Sequence, residues 1–384
     1  MMKPLSPVDA LAPAFSRMRT ILLPGSQPGV LAPRFRFSFF LKIAVVAALT
    51  NVGFYGASIG MIFQGLSIAL TASRSAVIHR HSWFVATSDA AVPVMAALAI
   101  AGLLVLAAWI LAGWLLSRLR FTLFDLVVYR HGRVGLAWSP YGAQAWRYLG
   151  LIVLLFLAFL LLIAGTAGPM LLHFLAAIRH AGAQHTALDP ADVFASILPL
   201  YGLMLLFGIA GTVADGITQD FLLPPIAIED APLEASIGRF FRLLRDSFWS
   251  VLFYLLLRFI VEIGLTWAGL MMVGLAFLIA GGSGAGIGLL LYHALWRQGG
   301  MAALLFLLYC TVAAVLVLAL YLLAMICVYG IVGLFKECYA VYFYGSHYQQ
   351  LGDRLDPGDV QPAPVPSTPP PPVFPPAFGS PPVY

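Results

Sequence analysis

Six stretches of this chain approach or exceed the roughly 20 apolar residues that carry an α-helix across a bilayer: Phe39–Leu70, Val92–Leu116, Leu149–Leu172, Ala195–Val213, Ser250–Ala280 and Met301–Leu334. A helix satisfies its own backbone hydrogen bonds, which is the condition hydrocarbon imposes on anything that spans it. The first, fifth and sixth stretches are long enough that they must tilt, break or include an interfacial turn. Thr50-Asn51 lies near the middle of the first. Gly281-Gly282-Ser283-Gly284-Ala285-Gly286 reads as a flexible separator after the fifth, setting off a short apolar piece, Ile287–Trp296, that is able to pack back. Six spans is the expected number, and a split of the long stretches makes it seven or eight. Only 10% of the residues are charged and 61% are hydrophobic, whereas a soluble domain carries roughly 25% charged residues. The expected fold is therefore all-α: a polytopic transmembrane helical bundle with interfacial amphipathic helices.

Orientation follows from Lys and Arg. The first 36 residues hold Lys3, Arg17, Arg19, Arg34 and Arg36 and no apolar h-region, so internal spans are expected to direct insertion. With both termini inside, the inner segments collect 16 of the 21 Lys and Arg residues, as the positive-inside rule requires. Three units result: an N-terminal Pro/Arg-containing cytoplasmic segment, 1–36; a transmembrane domain, 37–350; and a disordered cytoplasmic tail, 351–384. The tail has 12 prolines between Pro357 and Tyr384 and ends Pro381-Pro382-Val383-Tyr384, a short match to P-P-x-Y ligands of WW domains. It is a candidate contact for a protein partner. The net charge of +5 follows topology and does not indicate nucleic acid. Cys310, Cys327 and Cys338 have no paired spacing and are expected to be buried, inert thiols.

The most informative stretch runs from Asp215 to Glu262. A span ends at Asp215 and Asp220, and Pro224-Pro225 is expected to break the chain. Asp230 and Pro232 then suit the start of an amphipathic helix, with Glu234 at its positive end and Ile237, Phe241, Leu244 and Phe248 at helical spacing. Its Arg239, Arg242 and Arg245 fall largely on other faces, the pattern of a helix lying against anionic headgroups. Arg258 and Glu262 lie farther on, deep in apolar sequence, at i and i+4 on one face. A charge there needs a role or a partner. The two readings are a contact for an ion or substrate, with Asp215 and Asp220 nearby, and a self-neutralising pair that pins packing.

Other candidates are weaker. The segment Arg118–Tyr148 interleaves arginines, among them Arg130, Arg133 and Arg147, with Trp138, Trp146 and other aromatics, and is expected to lie at the membrane surface. His79, His81, His173, His180, His185, Asp189 and Asp192 occupy two outer loops without a tight ligand spacing, so no metal and no cofactor is expected. Gly56-x-x-x-Gly60 suits close helix contact, within the chain or between copies in a homo-oligomer.

Three stretches together resemble a known family. They are Arg120-Phe121 through Phe124-Asp125 to Trp138, Tyr141 and Trp146-Arg147-Tyr148; Asp220-Phe221-Leu222-Leu223-Pro224-Pro225 with Glu234-Ala235 and Arg239-Phe240; and Cys338-Tyr339-Ala340-Val341-Tyr342-Phe343-Tyr344-Gly345. The resemblance is to an uncharacterised family of bacterial multi-span membrane proteins. That family is similar in turn to the membrane domain attached to some glycerophosphoryl diester phosphodiesterases. It implies a helical domain in a bacterial inner membrane and brings no established activity, because the relatives' catalytic His and Glu belong to a separate soluble barrel for which this chain has no room. The expected function is a non-enzymatic scaffold or accessory subunit contacting lipid or protein. The alternative is a transporter or channel built around Arg258, Glu262, Asp215 and Asp220.

Overall fold

The computed structural model describes residues 5–23, 37–51, 88–129, 134–184, 190–296 and 300–355. Among them there are helices and turns and no strand, so the chain is all-α. In order the helices are α1 (Leu11–Leu22), α2 (Phe37–Asn51), α3 (Ser88–Tyr129), α4 (Val134–Trp138), α5 (Gly142–Gln184) and α6 (Pro190–Ile217). A π-helical turn, Thr218–Leu222, leads to α7 (Leu223–Glu229), α8 (Leu233–Asp246), α9 (Phe248–Leu295), α10 (Gly300–Gly345) and α11 (Gln349–Leu355).

By length and composition, five segments can cross a membrane: Ile100–Tyr129, Gly142–Met170, Gly202–Glu229, Phe248–Ala294 and Gly300–Gly345. They match five of the six expected spans. Of the remaining span, α2 is described and the rest, with Gly56 and Gly60, lies outside the described residues. The helices are far longer than a bilayer requires. α9 has 48 residues, or ~72 Å at a rise of ~1.5 Å per residue, against roughly 30 Å of hydrocarbon.

The extra length is packed at one end. Phe121, Phe124, Tyr148, Phe221, Tyr254, Tyr339 and Phe343 are fully buried there, in one continuous core. Farther along, the same helices turn Leu103, Leu161, Leu206, Met272 and Leu316 outward. Exposed apolar surface on this scale marks a membrane or protein contact, and the length and composition of these helices are compatible with a membrane. Both described terminal helices join the packed end. α1 buries Ala14, Met18 and Ile21, with Ala10 just before it, and α11 buries Leu351 and Leu355. Residues 351–355, expected to belong to a disordered tail, are thus helical and packed, and the remainder of that tail lies outside the described residues. α2 crosses α10 where neither helix has bulk: a Cβ on Gly330 or Gly333 would stand 2.5 Å from the carbonyl oxygen of Ala44 or Ala47.

Four expectations are corrected. Gly281–Gly286 does not separate anything, because α9 runs unbroken through it; hydrocarbon offers the backbone no competing partners, so glycine is tolerated in such helices. Pro224-Pro225 does not break the chain either. The preceding π turn shifts the hydrogen-bond register just where prolines lack N–H groups, and helix continues to Glu229. The break comes at Asp230, which takes the left-handed conformation (φ 51°) and closes α7. Asp230 therefore ends one helix where it was expected to start the next, and Pro232 sits outside α8 as its extended N-cap. Finally, the described residues of Arg118–Tyr148 do not all lie at the surface. α3 continues to Tyr129, and Phe121, Phe124, Tyr141 and Tyr148 from this segment are core.

Candidate functional site

The packed end encloses a layer of charge organised by the π turn. Three residues at the end of α6 and in that turn, Asp215, Gln219 and Asp220, reach three different helices. Asp215 pairs with Arg120 of α3, Nη2 lying 2.8 Å from both carboxylate oxygens. Arg120 also donates to the Tyr148 hydroxyl at 3.2 Å. Gln219 donates from Nε2 to Glu337 of α10 at 2.8 Å. Asp220 meets Arg258 of α9, with Nε 2.8 Å from Oδ2 and Nη2 3.3 Å from Oδ1, and accepts from the Tyr254 hydroxyl at 2.8 Å. The Arg258 and Asp220 side chains are only 6% and 1% exposed. At such burial, removing either partner would strand the other.

In one of the two readings from the sequence, Arg258 and Glu262 neutralise each other along one helix. Instead each has a partner on another element. Glu262 lies 3.0 Å from Lys336 of α10, whose ammonium also donates to Asn51 of α2 at 2.5 Å. The i, i+4 spacing leaves the two side chains neighbours, but the guanidinium gains two oxygens from Asp220 and the lysine closes on Glu262. A small pocket of about 10 Å³ beside Arg258, Glu262, Phe335, Lys336 and Tyr339 has room for about one water.

Aromatic rings wall this layer. Tyr254 stacks on Phe343 at 4.2 Å and on Tyr339 at 5.0 Å, while Phe221 meets Tyr254, Phe343 and Tyr344 edge-on. On the other side Phe121 stacks on Tyr141 and meets Tyr148 edge-on. The Tyr141 hydroxyl donates to Asp125 at 2.7 Å. Burial, and then that bond, raise this phenol above its ordinary value. The three stretches that carry the family resemblance thus converge on one end of the bundle.

The remaining predicted residues divide by what they touch. Arg239 does not project freely: it pairs with Glu229 at 2.6 Å and donates to the Tyr348 hydroxyl at 3.2 Å. The Glu229 bond holds the guanidinium above its ordinary value. Tyr348 also donates to Glu229, and burial together with that carboxylate pushes the phenol up. Trp138 is half-buried beneath Arg118, whose guanidinium carbon lies 4.5 Å from the ring centroid. Trp146 is exposed, and Arg147 makes an exposed 3.0 Å pair with Asp230. Arg242 and Arg245 are exposed and form no ion pair among the described residues. Arg130, Arg133, His79, His81, His185 and Asp189 lie outside the described residues, as do the side chains of His173, His180 and Asp192. Of the cysteines only Cys338 is buried; Cys310 is exposed on the apolar outer surface, where a thiol is tolerated as a small hydrophobe.

Sequence reasoning missed Arg17. It is buried and donates from Nε to Val127 O at 3.0 Å and from Nη2 to Val128 O at 2.7 Å. Those carbonyls belong to the last turn of α3 and have no partner within the helix, so the guanidinium caps it. The available signal was the periodic burial of Ala10, Ala14, Met18 and Ile21, hidden by an intervening Pro13.

A family model, described as a family of unknown function (DUF7544), matches residues 5–354. No curated protein matches the chain. No solved structure matches it.

Proposed function

We propose, for a chain that belongs to this family of unknown function, a non-enzymatic role as an integral membrane scaffold or accessory subunit. In this reading it is a multi-pass protein of a bacterial inner membrane with both termini cytoplasmic. Its partners are the lipid bilayer and a protein that docks on the packed end or on the Pro-rich tail. One observation supports the reading: three buried or part-buried ion pairs of the packed end join helix to helix. Asp215 engages Arg120, Asp220 engages Arg258 and Glu262 engages Lys336, all between helices. Groups matched in this way fix helix positions. The alternative, a transporter or channel, requires Arg258, Glu262 and one of the aspartates to line a shared polar cavity, whereas the pocket beside Arg258 and Glu262 has room for about one water and is lined by neither aspartate. The likeness to membrane domains attached to phosphodiesterases remains a resemblance of motifs and adds no activity.

The test is affinity purification in mild detergent with mass spectrometry of proteins and lipids, on the full chain and on a chain ending at Leu355. The scaffold reading expects a co-purifying protein that the shortened chain loses while it stays folded. Charge movement in proteoliposomes that Asp220→Asn abolishes, with no retained partner, would establish the alternative.

A further inference from the structure

We propose that the elbow between α8 and α9 is a seat for the phosphate of an anionic lipid headgroup. This deepens the membrane reading and rests on it. Two adjacent rings on α8 take opposite directions. Phe240 is buried with its centroid 5.4 Å from Phe221, whereas Phe241 is 60% exposed. The arginines divide in the same way. Arg239 is held inward by Glu229. Arg242 and Arg245 point outward, and the only bond of the Arg242 guanidinium among the described residues is a long one, 3.4 Å, to the carbonyl of Gly238 in its own helix. Residues three apart share a helix face, so these two guanidinium groups present neighbouring forks of donors. Such forks match phosphate oxygens in geometry as well as charge.

The elbow itself sets the level of this pair. Ser247 (φ −140°, ψ 41°) interrupts the helix, and α9 opens at once with Phe248 and Trp249, ring against ring at 5.5 Å. Trp249 is 78% exposed, and Leu252, Phe253 and Leu256 continue the outward apolar surface into the span. Arginine, then aromatic, then aliphatic is the order met on passing from headgroup to hydrocarbon. Two acids share α8: Glu234, two turns before Phe241, and Asp246, beside Arg245. Neither forms an ion pair with Arg242 or Arg245. With Arg239 paired to Glu229, they offset the helix's diffuse positive field, so the preference depends on direct contact between the arginine forks and a phosphate that no choline cation accompanies.

The test reconstitutes the full chain in nanodiscs containing equal phosphatidylglycerol and phosphatidylcholine and counts retained lipids by native mass spectrometry. The expected result is enrichment of phosphatidylglycerol by about fivefold, of the order given by a basic residue at a charged membrane surface. Arg242→Gln with Arg245→Gln should bring retention to parity without changing the unfolding temperature, because neither side chain has an ion-pair partner among the described residues. Arg242→Lys with Arg245→Lys should keep only part of the preference, separating forked contact from charge alone. Equal retention by the unaltered chain, or an undiminished preference in the glutamine variant, would overturn the seat alone. A chain that stays out of the discs would overturn the membrane reading, and the seat with it.

Discussion

Gly216 leaves the space that the Arg258 guanidinium fills. A Cβ at Gly216 would overlap that group, so a glycine one residue after Asp215 is what lets an arginine from α9 reach Asp220. Gly216→Ala should therefore act as overpacking does, costing about 1–3 kcal/mol. The measurement is thermal unfolding in detergent, and an unchanged midpoint would mean the guanidinium has another place to go.

The same pair sets a stronger expectation. Arg258→Leu leaves Asp220 buried without its cation and should cost about 3–5 kcal/mol, as breaking buried pairs does. Adding Asp220→Asn removes the stranded charge and should recover a large part of the loss. Equilibrium unfolding of the single and double variants gives the coupling; strict additivity would show that the two residues do not act as a pair.

Arg17 predicts a change in protease sensitivity. Arg17→Gln leaves the carbonyls of Val127 and Val128 without their charged donor, a loss of about 1.5–3 kcal/mol for each hydrogen bond to a charged group. The exposed Arg19 should then become an early tryptic site as α1 loosens from α3. Equal cleavage rates at Arg19 in the two proteins would contradict the capping role.

Asp230 offers a test of backbone against charge. Asp230→Gly removes the exposed pair with Arg147 but suits the left-handed conformation, and should stay within about 1 kcal/mol of the native stability. Asp230→Val should cost about 1–2 kcal/mol or more, because a β-branched residue resists positive φ. If the two variants unfold alike, the α7 terminus does not depend on that conformation.

Spans were legible in the sequence because length and hydropathy alone decide them; Leu149–Leu172 needs no knowledge of its neighbours. The site was less legible, for a different reason at each residue. Arg258 and Glu262 obey a local spacing rule, but Asp220 lies 38 positions away and Lys336 lies 74 from Glu262, so tertiary packing chose the partners. Arginine mixed with aromatics in Arg118–Tyr148 has the composition of a membrane surface and equally that of an aromatic core around a buried ion pair. Pro224-Pro225 signals a stop only if the helix keeps its α register, and a π turn is invisible to propensity. The amphipathic helix is legible as an element, whereas the burial of Phe240 against Phe221, beside an exposed Phe241, follows from tertiary packing.

The hydrogen bond from the Tyr339 hydroxyl to the Pro7 carbonyl joins positions 332 residues apart. α1, from Leu11, is synthesised long before α10, from Gly300, so until α10 emerges the first helix has no complete place to dock. Closing a loop of that length is slow relative to forming the helices themselves. α1 must wait at the surface, its apolar face open, while the spans insert. The packed end consequently matures only once α10 is in place, and docking of α1 reports its arrival.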